Sequence, residues 1–270
     1  LEGDLAPRRL LAGPVDHGGA SDPGQTGDPR RRGLPAVSQG PGAAPPSHHY
    51  RLIYAREGAL RWLAHRELMR AVYRLLHRSG LPLAFTQGYN PKPKVAFGPP
   101  LPVGAESHHE ELDIYLAEER PLEEILARLR AVFPTDEGLV PLRVVPAFGE
   151  KSAHSLRRGA RWAVRLDSLG ISPETARKAV ARWKACERFP LRVERPRKEP
   201  RQLDLKQLIA RPAVEGGALC FDLSQDSRSA SAKPSEVVAA LTGIPLEQVR
   251  SSGRFLLTEA LLRSDAVPCP

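Results

Sequence analysis

The apolar positions of this chain change period several times, and each change marks an element. Residues 50–54 read as a strand that ends at the turn Arg56-Glu57-Gly58. From about residue 65 to 78, Leu68, Met69, Val72, Leu75 and Leu76 fall at helical spacing, and Gly80 and Pro82 stop the pattern. Residues 81–86 predict a second strand and residues 110–116 a third, longer one. Pro121 opens a second helix, with Glu123 and Glu124 at its positive end. Leu122, Ile125, Leu126, Leu129 and Val132 form its buried stripe, and residues 139–145 supply a fourth strand. The order β-α-β-β-α-β is that of a ferredoxin-like unit.

The same order is expected again further on. Trp162, Val164 and Leu166 alternate with polar or small neighbours, as in a strand with one buried face. Ser172-Pro173-Glu174 starts a helix that continues through Ala176, Ala179, Val180 and Trp183. Strands are expected around residues 191–194 and 219–223, a helix from Pro234, and a last strand over residues 254–258. The expected fold class is therefore α+β: two tandem ferredoxin-like units over residues 49–150 and 158–262. Residues 1–48, rich in Gly and Pro and without apolar period, read as a disordered or linker segment, either native or left from a fusion.

Charge sharpens this picture. The chain of 270 residues has 40 basic and 31 acidic side chains, a formal net charge of +9. Residues 1–49 hold five arginines and five acids, so the excess belongs to the remainder. A basic folded region suits nucleic acid, ribosomes or an acidic protein; arginine enrichment also accompanies GC-rich genomes. Cys186, Cys220 and Cys269 are scattered, with no Cys-x-x-Cys pair, so the chain has no iron–sulfur or zinc-ribbon motif of its own. Scattered thiols predict a reducing, cytoplasmic location. No apolar run approaches the roughly 18 residues of a membrane span, and no membrane association is expected.

The stretch of residues 86–104 mixes three glycines and five prolines with Gln87, Tyr89, Asn90, Lys92, Lys94 and Phe97. Gly, Asn and Pro shape a turn here. A stiff loop carrying lysines and a flat ring suits phosphate and a stacked base; the alternative is a proline-rich crossover with core aromatics. On the first helix, Arg66, Arg70, Arg74 and Arg78 recur every four residues, a slanting basic stripe that an anionic partner would relieve. Its alternative is a solvated face. His65, just before the stripe, is the candidate general acid or base for cleaving RNA at a ribose 2′-hydroxyl; a His at a helix start otherwise bonds a loop carbonyl. His65, Tyr89, Asn90, Lys92 and Lys94 are expected to converge on one patch. His108 and His109 are adjacent on a strand and face opposite ways, so no metal site is expected there. The basic run from Arg188 to Lys206, with Pro196 and Pro200, is expected as a hairpin arm.

Two long stretches resemble known signatures. Residues 56–70, from Arg56-Glu57-Gly58 through His65-Arg66-Glu67, and residues 80–104, with Gln87-Gly88-Tyr89-Asn90-Pro91, look like those of the radical SAM-linked protein family. Glu67, Ala64 and Lys92 depart from its usual residues. This is a domain of unknown function, found alone or joined to the C-terminal end of cobalamin-binding-type radical SAM proteins. The resemblance implies a radical SAM protein as partner. It implies an iron–sulfur cluster and S-adenosylmethionine only through that partner, with no cofactor in this chain. The reading that follows is an accessory domain that binds structured RNA (tRNA or rRNA) or docks its radical SAM partner. The alternatives are a stand-alone RNA endonuclease or modifying enzyme using His65, and a purely protein-binding adaptor.

Overall fold

The computed structural model describes residues 47–195, 198–225 and 232–262. The disordered or linker segment expected over residues 1–48 lies, up to residue 46, outside the described residues, as do Pro196, Arg197 and Cys269. In chain order the first half holds β1 (His48–Arg56), α1 (His65–Arg78), β2 (Val95–Phe97), β3 (Glu106–Leu116), α2 (Leu122–Arg130) and β4 (Leu139–Pro146). A short helix, α3 (Ala153–Leu156), leads into the second half. There follow β5 (Arg157–Arg165), α4 (Pro173–Ala185), β6 (Pro190–Arg195), β7 (Lys198–Asp204), α5 (Leu205–Leu208), β8 (Ile209–Glu215) and β9 (Ala218–Ser224). The last elements are α6 (Pro234–Thr242), α7 (Leu246–Ser252) and β10 (Phe255–Leu262).

The fold is a mixture of helices and a mostly antiparallel sheet. Eight strands share one sheet in the order β4-β1-β3-β10-β5-β9-β8, with β2 also paired to β3. The halves meet where β10 runs parallel to β3, and that ladder holds only Leu256↔Glu106 and Leu257↔Ser107. Strand alternation builds a core on one face of each half. In the first, Tyr50, Leu52, Tyr54, Leu112, Ile114 and Leu116 meet Leu68, Val72 and Leu76 of α1 and Ile125 and Leu129 of α2. In the second, Trp162, Val164, Leu219, Phe221 and Leu223 meet Ala176 and Val180 of α4 and Val237, Val238 and Leu241 of α6. α4 starts where its N-cap predicts, with the Ser172 hydroxyl accepting from the Thr175 N–H at 3.1 Å.

Two strand expectations are corrected. Residues 81–86 make isolated bridges, Leu83↔Leu116 and Phe85↔Pro93, and the regular strand is β2, further along. Pro82, Pro91 and Pro93 have no N–H to give, so a continuous ladder cannot form there. Residues 191–194 belong to β6, which pairs only with β7 in a separate two-stranded sheet. The strand beside β9 is β8, whose pattern is interrupted by Pro212, by Arg211 at φ 48° and by a register shift between Ala210 and Ala213. The β6–β7 pair is a hairpin, as the basic run suggests, but Leu191 and Val193 are buried in the second core, so its inner face is anchored.

Candidate functional site

α1 presents two faces. Leu68, Val72 and Leu76 point into the core, while Arg66, Arg70, Arg74 and Arg78 are all exposed and make no ion pair among the described residues. Glu67 is drawn back to the helix start, where its carboxylate accepts from the Ala64 N–H at 2.8 Å, so it does not neutralise the stripe. Tyr73 and His77 place the flank of the helix against aromatic rings of residues 83–97: Tyr73 and His65 meet Phe97 edge-on at 6.1 and 5.9 Å, and His77 meets Phe85 at 6.0 Å. With 100° between successive residues, Arg66 and Arg70 lie on this same flank and Arg74 and Arg78 drift away from it.

Residues 83–95 form an irregular hairpin along that flank. The Thr86 N–H donates to the Lys92 carbonyl at 2.8 Å, the Lys92 N–H to the Thr86 hydroxyl at 3.1 Å, and the Lys94 N–H to the Ala84 carbonyl at 2.7 Å. These bonds close a tip in which Gln87, Tyr89, Asn90 and Lys92 are all exposed, Tyr89 completely. Gly88 at the tip has φ 133°, a conformation that favours glycine. Phe85, half-exposed at the tip's base, adds a second ring.

The five residues expected on one patch are not brought together. His65 sits by Phe97 at the start of α1, whereas the tip begins beyond Phe85, which faces His77. Twelve residues of helix separate the two, about 18 Å. Lys94 faces the other side of the sheet: its ammonium lies over the Tyr115 ring at 4.4 Å and donates to the Ser47 hydroxyl at 3.3 Å. What the structure does set along one flank of α1 is Arg66 and Arg70 toward the helix start and Phe85 toward the helix end by His77, with Gln87, Tyr89, Asn90 and Lys92 at the tip beyond it. His65 makes no hydrogen bond among the described residues, and burial, reinforced by the Arg56 guanidinium, lowers its pKa. Its imidazole is therefore neutral near pH 7.

A set of buried charges was not predicted. Asp113, fully buried, accepts from Arg51 Nε at 2.8 Å and from the Ala153 N–H at 2.7 Å, and His49 lies 3.4 Å away. Arg51 also donates to Glu150 at 3.1 Å and to the Lys151 carbonyl at 3.1 Å. These contacts tie the segment before β5 onto the sheet face opposite α1. Nearer the seam of the halves, Arg56, Glu110, Glu111 and Arg157 are almost fully inaccessible. Arg56 Nε and Nη2, both Nη atoms of Arg157, Glu110 Oε1 and Glu111 Oε2 have no hydrogen-bond partner among the described residues. Burial pushes the Glu110 carboxyl up to about 7, although Arg157 and Arg56 oppose it. Burial also lowers Arg157. Orphaned charges of this kind are costly and concentrate at functional sites.

On the face away from α1 and α2 the sheet floors a cleft of about 490 Å³. Arg51, Ile53, His109, Glu111, Arg143 and Val145 line its floor, and Glu150, Lys151 and Leu156 one wall. Glu259, Ala260 and Leu262 of β10 form the other wall. Burial, with Arg143 and Arg157, lowers His109 to about 4, so this imidazole is neutral too. His108 turns the other way, to Glu57 at 2.7 Å. Among the described residues no three His, Cys, Asp or Glu side chains gather as a metal site, and no helix is long and apolar enough to cross a membrane.

No curated protein matches this sequence. The pattern of a bacterial family does, over residues 49–234, a span that takes in the α1 stripe, the hairpin, the buried charges and most of the second half. The chain belongs to that family, described as an uncharacterized protein conserved in bacteria (DUF2344).

Proposed function

We propose that this chain is an accessory domain that binds structured RNA, tRNA or rRNA, along the flank of α1 and the hairpin beside it. The observation that carries the reading is one flank of α1 that bears unpaired, exposed Arg66 and Arg70 and is continued past the helix end by the exposed rings of Phe85 and Tyr89 and by Lys92. Guanidinium groups neutralise phosphates, and a free ring at a rigid tip stacks on an unpaired base. Arg74 extends the stripe for a longer backbone, and Gln87 and Asn90 offer amide groups to base edges. Lys94, held by Tyr115, plays no direct part. The resemblance of residues 56–70 and 80–104 to radical SAM-linked proteins adds a partner that performs the chemistry, with its cluster and S-adenosylmethionine, on the RNA held here. The order last-first-third-second among the main-sheet strands of each half, β4-β1-β3-β2 and β10-β5-β9-β8, supports reading the halves as tandem ferredoxin-like units.

The test is RNA binding by the protein with Arg66, Arg70 and Arg74 all changed to Gln. Affinity is expected to fall. The slope of log K against log salt should flatten by up to about 0.7 for each single-strand phosphate that an arginine no longer neutralises. Unchanged affinity and slope in a folded protein would remove the stripe from the site. A second reading, a nuclease, is favoured by one observation: the imidazole of His65 feels the charge of the Arg56 guanidinium, whose buried Nε and Nη2 have no hydrogen-bond partner among the described residues, which puts a base within the field of a cation. RNA cleavage by the wild-type chain that disappears in His65→Ala would establish that reading and displace the accessory one.

A further inference from the structure

The cleft on the opposite face of the sheet has a built-in charge arrangement. Ile53 of β1 is paired with Arg143 of β4 on one side and with Glu111 of β3 on the other. Residues directly opposite in adjacent strands share a face. Arg143, Ile53 and Glu111 therefore form one row across three strands, a cation and an anion on either side of an apolar residue. Two strand spacings separate the ends of the row, about 10 Å between their Cα atoms. Arg143 is exposed and makes no ion pair among the described residues. Glu111 is 2 % exposed and its Oε2 has no hydrogen-bond partner among the described residues, so the cleft floor holds a buried acceptor that they leave unsatisfied. His109 Nε2 in the cleft lies 3.9 Å from its Oε1, beyond hydrogen-bond range, and the Arg157 and Arg51 guanidinium groups act on this carboxylate through their charge without bonding Oε2.

The other charges of the cleft are disposed in kind. Arg51 is already committed to Asp113 and Glu150, so it is not a free cation. Lys151 on one wall and Glu259 on the other make no ion pair among the described residues. The free groups are thus two cations and two carboxylates, with Ile53, Val145, Leu156 and Ala260 supplying apolar surface between them. A lone anion would leave Glu111 unsatisfied and would meet Glu259; a lone amine would leave Arg143 and Lys151 without a partner. A volume of about 490 Å³ falls within the roughly 300–1,000 Å³ range of small-molecule sites.

We infer that this cleft binds a small ammonium carboxylate zwitterion, an amino acid or dipeptide, with its ammonium on Glu111 and its carboxylate on Arg143. The apolar part of the ligand lies over Ile53 and Leu156. The wall residues 150–156 and β10 come from either side of the seam, so the ligand bridges the first half to the second. The site faces away from α1 and does not depend on RNA being bound there.

The test is calorimetric titration of the whole chain with a panel of the common amino acids and of dipeptides, alongside simple alkylamines and monocarboxylates. At least one zwitterion is expected to bind in the millimolar range or tighter, and the singly charged compounds about tenfold or more weaker, since each forgoes a charge-assisted hydrogen bond. Glu111→Gln and Arg143→Gln should each weaken zwitterion binding by about tenfold or more at an unchanged fold, checked by thermal melting. Arg143 is on the surface, so its variant remains informative if Glu111→Gln does not fold. No zwitterion binding at millimolar concentration, equal binding of the monocarboxylates, or binding that survives Arg143→Gln would each overturn the inference.

Discussion

In the second half of the molecule, past Arg157 at its start on the seam, the buried charges of the described residues are paired. Asp222 accepts from Arg161 at 3.0 Å and from Arg211, and Glu236 caps the start of α6 through the Lys233 N–H at 2.8 Å and lies 3.7 Å from Arg250. In the first half and at the seam, Arg56, Glu110, Glu111 and Arg157 keep buried polar atoms that no described residue satisfies. Both halves use alternating strands under helices, so the fold does not impose this difference. An interior with every charge paired serves stability; an interior with orphaned charges gives stability up and holds polar groups ready for something else. On the proposed reading, the contrast fits support by the second half and function in the first half and seam.

The largest expected effect tests the supporting role. Trp162→Ala removes the largest side chain of the second core and should destabilise the protein by about 3–5 kcal/mol in denaturant unfolding. RNA affinity measured under conditions where the variant stays folded should be unchanged. A selective loss of RNA affinity without loss of stability would break the assignment.

Next is the seam. Glu110 is raised from 4.5 to about 7, so the stability it contributes is fully present below about 4.5 and is lost as pH rises through about 7. Glu110→Gln should remove that loss and make the protein more stable than wild type at pH 8, by up to roughly 3 kcal/mol, with little difference near pH 4.5. His109 works in the other direction: lowered from 6.5 to about 4, it contributes stability that is full above 6.5 and lost as pH falls through about 4. Wild type should therefore lose stability toward both ends, and the Gln variant chiefly toward acid. Melting curves from pH 4 to 8 decide this; a Gln variant that is no more stable than wild type at pH 8 would mean that Glu110 is already satisfied.

The smallest effect is on the hairpin tip. Tyr89→Ala should cost about 1–3 kcal/mol of RNA binding if a base stacks on the ring. It should leave stability within about 0.5 kcal/mol, because the side chain is fully exposed. Loss of stability without loss of binding would reverse the roles given to tip and core.

Much of the first half was legible because its pattern is regular. The apolar periods of residues 50–54, 65–78 and 139–145, the stop at Gly80 and the acids after Pro121 correspond to β1, α1, β4 and α2. β8 was not legible: Arg211 and Pro212 break its alternation, and only the neighbouring β9 holds it in place. For the site, the exposure of Arg66, Arg70 and Tyr89 follows from their spacing and turn context. The separation of the hairpin tip from His65 does not, because the direction in which the hairpin lies along α1 is set by the contacts of Phe85 and Phe97. The buried charges left one readable sign. Glu110, Glu111 and Asp113 put carboxylates on both faces of a strand, so one of them had to lie on the face that builds the core. Arg51 and Arg56, their counterparts in β1, look by themselves like the polar positions of an ordinary half-exposed strand.

The place of β10 has a consequence for how the molecule is made. Residues 255–262, the latest strand in chain order among those described, lie between β3 and β5. While a ribosome is still delivering earlier residues, both of those neighbours carry open backbone edges, and an unpaired edge is a template for another chain. Closing the sheet joins residues 106–107 to 256–257, across about 150 residues of chain, and such long-range pairings form late. Nascent chains stalled before residue 255 would thus be the aggregation-prone species, and the seam would be the last part of the protein to acquire its shape.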